Sequence, residues 1–162
     1  MLDPKADTST PPLTKDQLVD LLGGWKGYQL GTVGRLPVDP DHPEEVWLEL
    51  IPDPNRLPRC SGCGQGVTAI HEVEERWVRD LPLLGTPVEL LVQRCRLACP
   101  RCGPKLEHLD WLAPYARVTR RLAREVARLC QWLPVKHVAA FFGLHRHTVK
   151  AIDKAHLTET LG

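Results

Sequence analysis

The sequence lacks a long hydrophobic run, and its first twelve residues are polar and acidic. A membrane-spanning helix needs about 20 consecutive apolar residues, so the missing run argues against a helical membrane protein. The N-terminus also lacks the apolar segment on which a secretory signal peptide depends. We therefore expect a cytoplasmic protein with no membrane partner.

The chain also has almost no net charge, because 21 Lys and Arg residues face 20 Asp and Glu residues in a total of 162. The acidic and basic residues are unevenly distributed along the chain. Residues 1–93 carry 8 basic and 15 acidic side chains, whereas residues 94–154 carry 13 basic and 4 acidic side chains. The second region is therefore the candidate for contact with nucleic acid, and the acidic region for solvation or for binding a protein.

Four of the six cysteines form two short pairs, Cys60 with Cys63 and Cys99 with Cys102. Two residues separate the cysteines of each pair, a spacing at which the thiolates of one tight turn bind the same metal ion. Two such turns with a β-hairpin between them predict a zinc ribbon with one structural Zn²⁺. Disulfides are the alternative, but nothing in the sequence indicates an oxidising compartment. Cys95 is an alternative ligand, and Cys130 is expected to be a buried apolar residue.

The order of these patterns predicts an α+β fold, with a small β-rich N-terminal region and zinc ribbon followed by an all-α helix-turn-helix domain. We divide the chain into a flexible N-terminus (1–12), a helix with strands (13–58), the zinc ribbon (59–112) and the helix-turn-helix DNA-binding domain (117–157). Thr14 and Gln17 form the signature of a capping box, which predicts the first helix over 14–22. Alternating apolar residues predict strands over 28–33 and 46–51, and a hairpin over 67–97 that turns at 83–86.

Residues 135–154 fit the twenty-residue frame of a helix-turn-helix. Ala139, at the fifth position, lets the second helix pass close by, and Gly143, at the ninth, adopts the left-handed turn. Val149 and Ile152 occupy the two positions that pack inward. All four positions are filled as the motif requires, which favours DNA binding over an ordinary helical hairpin.

The second helix of this frame is the predicted recognition helix, and four of its side chains face away from the core: Arg146, His147, Lys150 and Lys154. Arg146 and His147 are candidates for base edges in the major groove, and the two lysines for the phosphate backbone. The preceding helix carries an arginine stripe that contacts phosphates or, alternatively, is only a solvated face: Arg120, Arg121, Arg124 and Arg128. His145 occupies the N-cap position of the recognition helix and predicts a poor cap, because Ser, Thr, Asp or Asn is preferred there.

Residues 47–157 resemble the N-terminal part of insertion-sequence transposases of the ISL-three type. The resemblance is carried by the cysteine turn at 60–64, His71, the stretch at 78–82 with Gly85 and Pro87, the run at 94–103 and the helix-turn-helix. It implies recognition of terminal inverted repeats, followed in that family by an RNase-H-like domain with three catalytic acidic residues. No acidic residue of this chain matches that triad. Cys95 also departs from the family, because the corresponding stretch of those transposases tends to be rich in arginine.

We therefore expect sequence-specific binding of double-stranded DNA at terminal inverted repeats, by a nucleoid-associated chain that is not itself an enzyme. Catalysis is disfavoured because four thiolates leave zinc no open position for water. The chain is then a truncated transposase, an excised DNA-binding fragment or a free-standing regulator. The alternative function is a protein-interaction or regulatory module that dampens transposition or regulates transcription, with a full-length transposase as its partner. A homodimer is a further partner that the sequence leaves open.

Overall fold

The computed structural model describes residues 11–35 and 44–161, which form a mixed β-sheet and four helices. In chain order the elements are α1 (Lys15–Gly23), β1 (Tyr28–Arg35), β2 (Val46–Pro52), β3 (Ile70–Leu83), β4 (Thr86–Cys99), β5 (Gly103–Leu106), α2 (Arg120–Cys130), α3 (Val135–Phe142) and α4 (Arg146–Leu161). This order confirms the predicted α+β fold, with a β-rich region before an all-α domain. None of the described helices is long and apolar enough to cross a bilayer.

The first helix begins as the sequence predicts. The Thr14 hydroxyl accepts a hydrogen bond from the backbone N–H of Gln17 at 3.1 Å, and the Gln17 side chain accepts one from the N–H of Thr14 at 3.0 Å. The helix ends before Gly24, which has the left-handed φ of 64° that a glycine adopts easily. Most of the expected flexible N-terminus lies outside the described residues.

The sheet has the strand order β1-β2-β4-β3, and β5 pairs with the far end of β4. β3 and β4 form the predicted hairpin, with 14 residues in each strand. β2 lies parallel to β4, with Leu50 opposite Val92. Because β4 ends at Cys99, the hairpin carries the second cysteine pair at one end and a two-residue turn at the other.

One face of this sheet forms the first hydrophobic core. Its fully buried side chains come from three neighbouring strands and share one phase of the alternation: Leu50, Val78, Leu90 and Val92. The segment after β5 covers them with Trp111 and Leu112. The Trp111 ring meets the Tyr28 ring edge to face, with the ring centroids 5.5 Å apart.

A second core lies among the three C-terminal helices and contains Leu122, Val126, Val138, Ala139, Phe142 and Val149. Leu81 of β3 and Val118 pack against this core, so the sheet and the helical domain share a packed boundary. The backbone N–H of Thr119 donates to the carbonyl of Arg79 at 3.0 Å, which ties the start of α2 to β3. The sheet therefore positions the helix-turn-helix.

Candidate zinc centre and nucleic-acid interface

The four predicted zinc ligands come together at one end of the β3–β4 hairpin. Their sulfur atoms all lie within 4.8 Å of one another: Cys60, Cys63, Cys99 and Cys102. The sulfurs of Cys63 and Cys99 are 3.7 Å apart. Four thiolates placed about 2.3 Å from a tetrahedral Zn²⁺ stand about 3.8 Å from one another, so the cluster has the dimensions of this site. The ribbon binds one structural zinc.

Glycines shape the two cysteine turns. Gly64 and Gly103 each have φ of 74°, and the N–H of Gly64 donates to the carbonyl of Cys60 at 2.8 Å. The N–H of Gly62 points at the Cys60 sulfur from 3.3 Å. A Cβ atom on Gly62 would stand 3.1 Å from the Cys102 sulfur, so a larger residue would crowd the ligand cluster.

The electrostatics of the sulfur cluster also fit a cation. Hydrogen bonds from the backbone N–H groups of Cys63 and Gly62 lower the pKa of the Cys60 thiol to about 7, although burial opposes this shift. A hydrogen bond with the Cys63 side chain, together with burial, raises the pKa of Cys102 to about 12. A divalent ion stabilises four adjacent thiolates.

Cys95 does not belong to the sulfur cluster and instead supports the ribbon. It is buried, and its sulfur accepts a hydrogen bond from Nη2 of Arg56 at 3.4 Å. Arg56 also donates from Nε to a carboxylate oxygen of Glu107 at 2.8 Å, and both side chains of this ion pair are largely buried. The pair joins the segment before the first cysteine turn to the residue after β5.

The helix-turn-helix follows the predicted frame. Gly143 ends α3 with the left-handed φ of 64°, and the N–H of Leu144 donates to the carbonyl of Ala139 at 2.9 Å. Ala139 and Val149 are buried between α3 and α4, and Ile152 packs against the same core. The two helices are thus joined by a tight turn built around the one residue type that adopts this φ without strain.

The outer face of α4 carries the basic side chains that the sequence assigns to DNA. Each of the four is exposed: Arg146, His147, Lys150 and Lys154. None of the ion pairs within the described part of the chain involves them. The sequence also has no acidic residue between Glu125 and Asp153. Basic side chains outnumber the one acidic side chain beside them, Asp153, so this surface carries a net positive charge that favours phosphate.

His145 provides a side-chain cap for α4, although His is not among the preferred cap residues. Its Nδ1 accepts a hydrogen bond from the backbone N–H of His147 at 3.2 Å, which satisfies one of the free donors in the first helical turn. The two imidazole rings stack with centroids 4.9 Å apart. An acceptor Nδ1 carries no proton, so the capping form of His145 is the neutral ring.

The arginines of α2 do not form one stripe. Arg120 and Arg124 line a groove of about 490 Å³ between α2, α4 and the segment 110–118. Arg128 is exposed and pairs with Glu125 at 2.7 Å. Arg121 departs from the predicted exposed face, because it turns toward the sheet and pairs with the buried Asp80.

The structure also separates the α2 arginines from the lysines of α4. Lys150 and Lys154 line a shallow depression together with Asp153, Leu157 and Leu161, whereas Arg120 and Arg124 lie in the groove beside Ala155, on another side of α4. Asp110 and Glu159 also line that groove, so it is less basic than the outer face of α4. Arg120 and Arg124 therefore flank α4 and do not extend its basic stripe.

Asp80 is a structural residue that the sequence reasoning missed. Its side chain is only 1% exposed, and it accepts hydrogen bonds from the Thr119 hydroxyl at 2.7 Å and from Nε1 of Trp25 at 2.9 Å, in addition to Arg121. The available signal was the alternation of β3, in which Asp80 shares the inward phase of Val78. An acidic residue at an inward strand position requires buried donors.

Two families of known protein domains match successive parts of the chain. Residues 56–102 match the family described as the zinc-finger of transposase IS204/IS1001/IS1096/IS1165. Residues 107–157 match the helix-turn-helix domain of transposase family ISL3. The helical part is therefore a domain of a DNA-binding type found in transposases.

A curated relative covers both parts. The transposase for insertion sequence element IS1001 of Bordetella parapertussis is 43% identical over 142 residues, which is 87% of this chain and 34% of that protein. The chain thus spans about a third of the length of the curated relative that it matches. No solved structure gives a significant match. The chain carries, in this order, the zinc ribbon and the helix-turn-helix domain of the ISL3 family of transposases.

Proposed function

We propose that this chain binds double-stranded DNA in a sequence-specific manner and recognises the terminal inverted repeats of an insertion sequence. The observation that carries the proposal is the outer face of α4, where Arg146, His147, Lys150 and Lys154 stand exposed on the second helix of a helix-turn-helix. In this motif the second helix enters the major groove, and its N-terminal residues contact base edges. The name of the IS1001 relative supports the choice of an insertion sequence as the source of the DNA.

The part of the DNA that each side chain is proposed to contact depends on its position along α4. Arg146 and His147 lie in the first turn and are the proposed base contacts, whereas Lys150 and Lys154 lie further along and are proposed to contact phosphates. Arg120 and Arg124 flank the helix and add phosphate contacts at the edge of the site. We leave Arg121 out of this set, because its guanidinium is already bound to Asp80.

The zinc ribbon has a supporting role in this proposal. Four thiolates fill the tetrahedral shell of the ion and leave no position for water or substrate, so we assign no catalysis to the metal. The ion holds the end of the β3–β4 hairpin, and the opposite half of β3 contacts the start of α2 through Arg79 and Asp80. Zinc therefore stabilises the sheet on which the DNA-binding domain rests.

Fluorescence anisotropy with duplexes that carry the terminal repeat or a shuffled repeat, at several salt concentrations, tests this function. We expect tighter binding to the repeat, and an affinity that falls steeply with salt. Arg146→Ala should reduce the preference for the repeat by about 1–3 kcal/mol, whereas Lys150→Ala should weaken both duplexes alike and lower the salt slope by about 1. Co-purification with a transposase, without binding to either duplex, would instead favour the regulatory module.

A further inference from the structure

Leu84, at the tip of the β3–β4 hairpin, combines an unfavourable backbone conformation with almost complete exposure. It is one of the two central residues in the turn between the paired Leu83 and Thr86, and its φ is 51°, followed by 83° at Gly85. Two successive positive φ angles define a type I′ turn, in which Asn or Asp before Gly is strongly preferred. A leucine at this position must adopt the left-handed conformation that its Cβ atom disfavours.

No packing within the described chain offsets this strain. The Leu84 side chain is 98% exposed, the largest exposed fraction among the large apolar residues that the structure describes. A strained residue whose side chain contacts nothing in the described part of the chain points to a further contact. The chemistry of Leu84 restricts that contact to an apolar surface.

An apolar groove of about 290 Å³ begins directly beside this tip. It lies between α1, β1, β2 and the turn end of the hairpin, and its apolar lining includes Leu18, Leu22, Trp25, Val33, Leu48 and Leu83. The only charged groups that line it are Asp80 and Arg121, which neutralise each other. The hairpin tip over 81–88 has no charged residue either. The tip and the groove are thus electrostatically compatible, with no like charges and no unpaired charge to bury.

We propose that two copies of this chain associate through this surface, with Leu84 of each copy inserted into the groove of the other. The tip and the groove are neighbours on one surface, since Leu83 lines the groove and Leu84 follows it. When a projection lies beside a depression, a two-fold axis places the projection of each copy in the depression of the other. Most homodimers have this two-fold symmetry. The contact supplies the packing that Leu84 lacks among residues 11–35 and 44–161.

The exposed apolar area matches what a weak dimer needs. The exposed fractions of the groove and tip side chains amount together to about three fully exposed leucines: Leu18, Leu22, Val33, Leu83 and Leu84. At roughly 100 Å² of apolar surface for each leucine side chain, one copy offers about 300 Å². If a little over half of the interface is apolar, two copies bury about 1,000 Å² in total, which is in the range of weak interfaces. The dimer is therefore expected to dissociate on dilution.

Sedimentation velocity of the zinc-bound chain without DNA, over a range of micromolar concentrations, tests the proposal. We expect a monomer–dimer equilibrium for the wild type. Leu84→Asn should weaken dimerisation by about tenfold or more, because it removes the central apolar contact. The same substitution places a preferred residue in the turn, so the melting temperature of the dilute monomer should rise or stay unchanged. Leu57→Asn is the matched control, since Leu57 is 64% exposed and lies outside the groove.

Two results would overturn the proposal. One is a wild-type chain that stays monomeric at every concentration, and the other is a Leu84→Asn variant that dimerises as tightly as the wild type. A loss of dimerisation in Leu57→Asn of the same size would also count against it, because the effect would not be specific to the tip. The measurement contains no DNA, so a failure of the proposed DNA recognition would leave its outcome unaffected.

Discussion

Asp80 receives two hydrogen bonds from the guanidinium of Arg121, one of them from Nε at 2.8 Å, and this ion pair joins the zinc-ribbon sheet to the first helix of the helix-turn-helix domain. The same carboxylate accepts hydrogen bonds from the side chains of Thr119, the N-cap of α2, and Trp25, which follows α1. Three parts of the chain therefore meet at one buried anion. Their relative positions depend on it.

Replacement of Asp80 by alanine is expected to lower the free energy of unfolding by about 3 kcal/mol, because it removes the carboxylate from a partly buried guanidinium and from three further donors, on Trp25, Leu81 and Thr119. Urea denaturation of the zinc-bound chain measures this loss. The matched control is Glu125→Ala, which breaks the exposed ion pair with Arg128 and should cost only about 0.5 kcal/mol. Equal losses for the two variants would show that Asp80 has no special role.

The pH dependence of this contribution has a defined sign. Burial by itself raises the pKa of Asp80, but the hydrogen bonds from Arg121, Thr119 and Trp25 outweigh it and hold the pKa below its usual value. A lowered folded pKa gives stability that is present above the unfolded pKa, about 3.9, and is lost as pH falls through the folded pKa.

The stability difference between wild type and Asp80→Asn should therefore stay constant from about pH 8 to about pH 5. Urea denaturation of both proteins across this range tests the sign. Protonation of the zinc ligands affects both proteins alike and cancels in the difference. If the difference shrank steadily between pH 7 and pH 5, burial would have raised the pKa of Asp80 after all.

Removal of zinc is expected to unfold the ribbon, since structural zinc contributes about 10–16 kcal/mol in zinc-finger peptides. Circular dichroism during titration with a strong chelator should show loss of β structure as one equivalent of zinc is released per chain. Cys99→Ser should prevent stable zinc binding. Cys130→Ser is the control that should keep it, because Cys130 lies on α2 and outside the sulfur cluster. Unchanged circular dichroism after complete chelation would rule out a structural ion.

The cap formed by His145 predicts a stability change at the start of α4. His145→Ala removes the acceptor for the N–H of His147 and should cost about 1 kcal/mol, whereas His145→Asn supplies another acceptor and should cost much less. Chemical denaturation of the two variants gives the comparison. Equal stability of the alanine and asparagine variants would mean that the ring contributes no cap.

Local signals made the elements of this fold predictable from the sequence. Thr14 and Gln17 form their capping box within four residues, and Gly143 needs only its own φ to end α3. The zinc cluster was predictable for a related reason, because the spacing within each cysteine pair already specifies a shared ion. Such features depend on a few neighbouring residues and not on the path of the whole chain.

Features that depend on distant contacts could not be derived in the same way. The alternation of β2 predicts a strand but does not identify β4 as its parallel neighbour. Arg121 fitted an exposed stripe on α2, and only the tertiary structure places Asp80, 41 residues earlier, beside it. The cap formed by His145 could not be derived either, because capping preferences rank residue types and do not reveal the ring of His147 that stacks on it.

The most direct test of DNA recognition by α4 is the selection of bound duplexes from a random DNA pool by the zinc-loaded chain. We expect one short motif to be enriched, and under the proposed function that motif should occur in the terminal inverted repeats of an insertion sequence. A parallel selection with Arg146→Ala should return a motif relaxed at one position. Recovery of DNA without any enriched motif by the wild-type chain would contradict sequence-specific recognition.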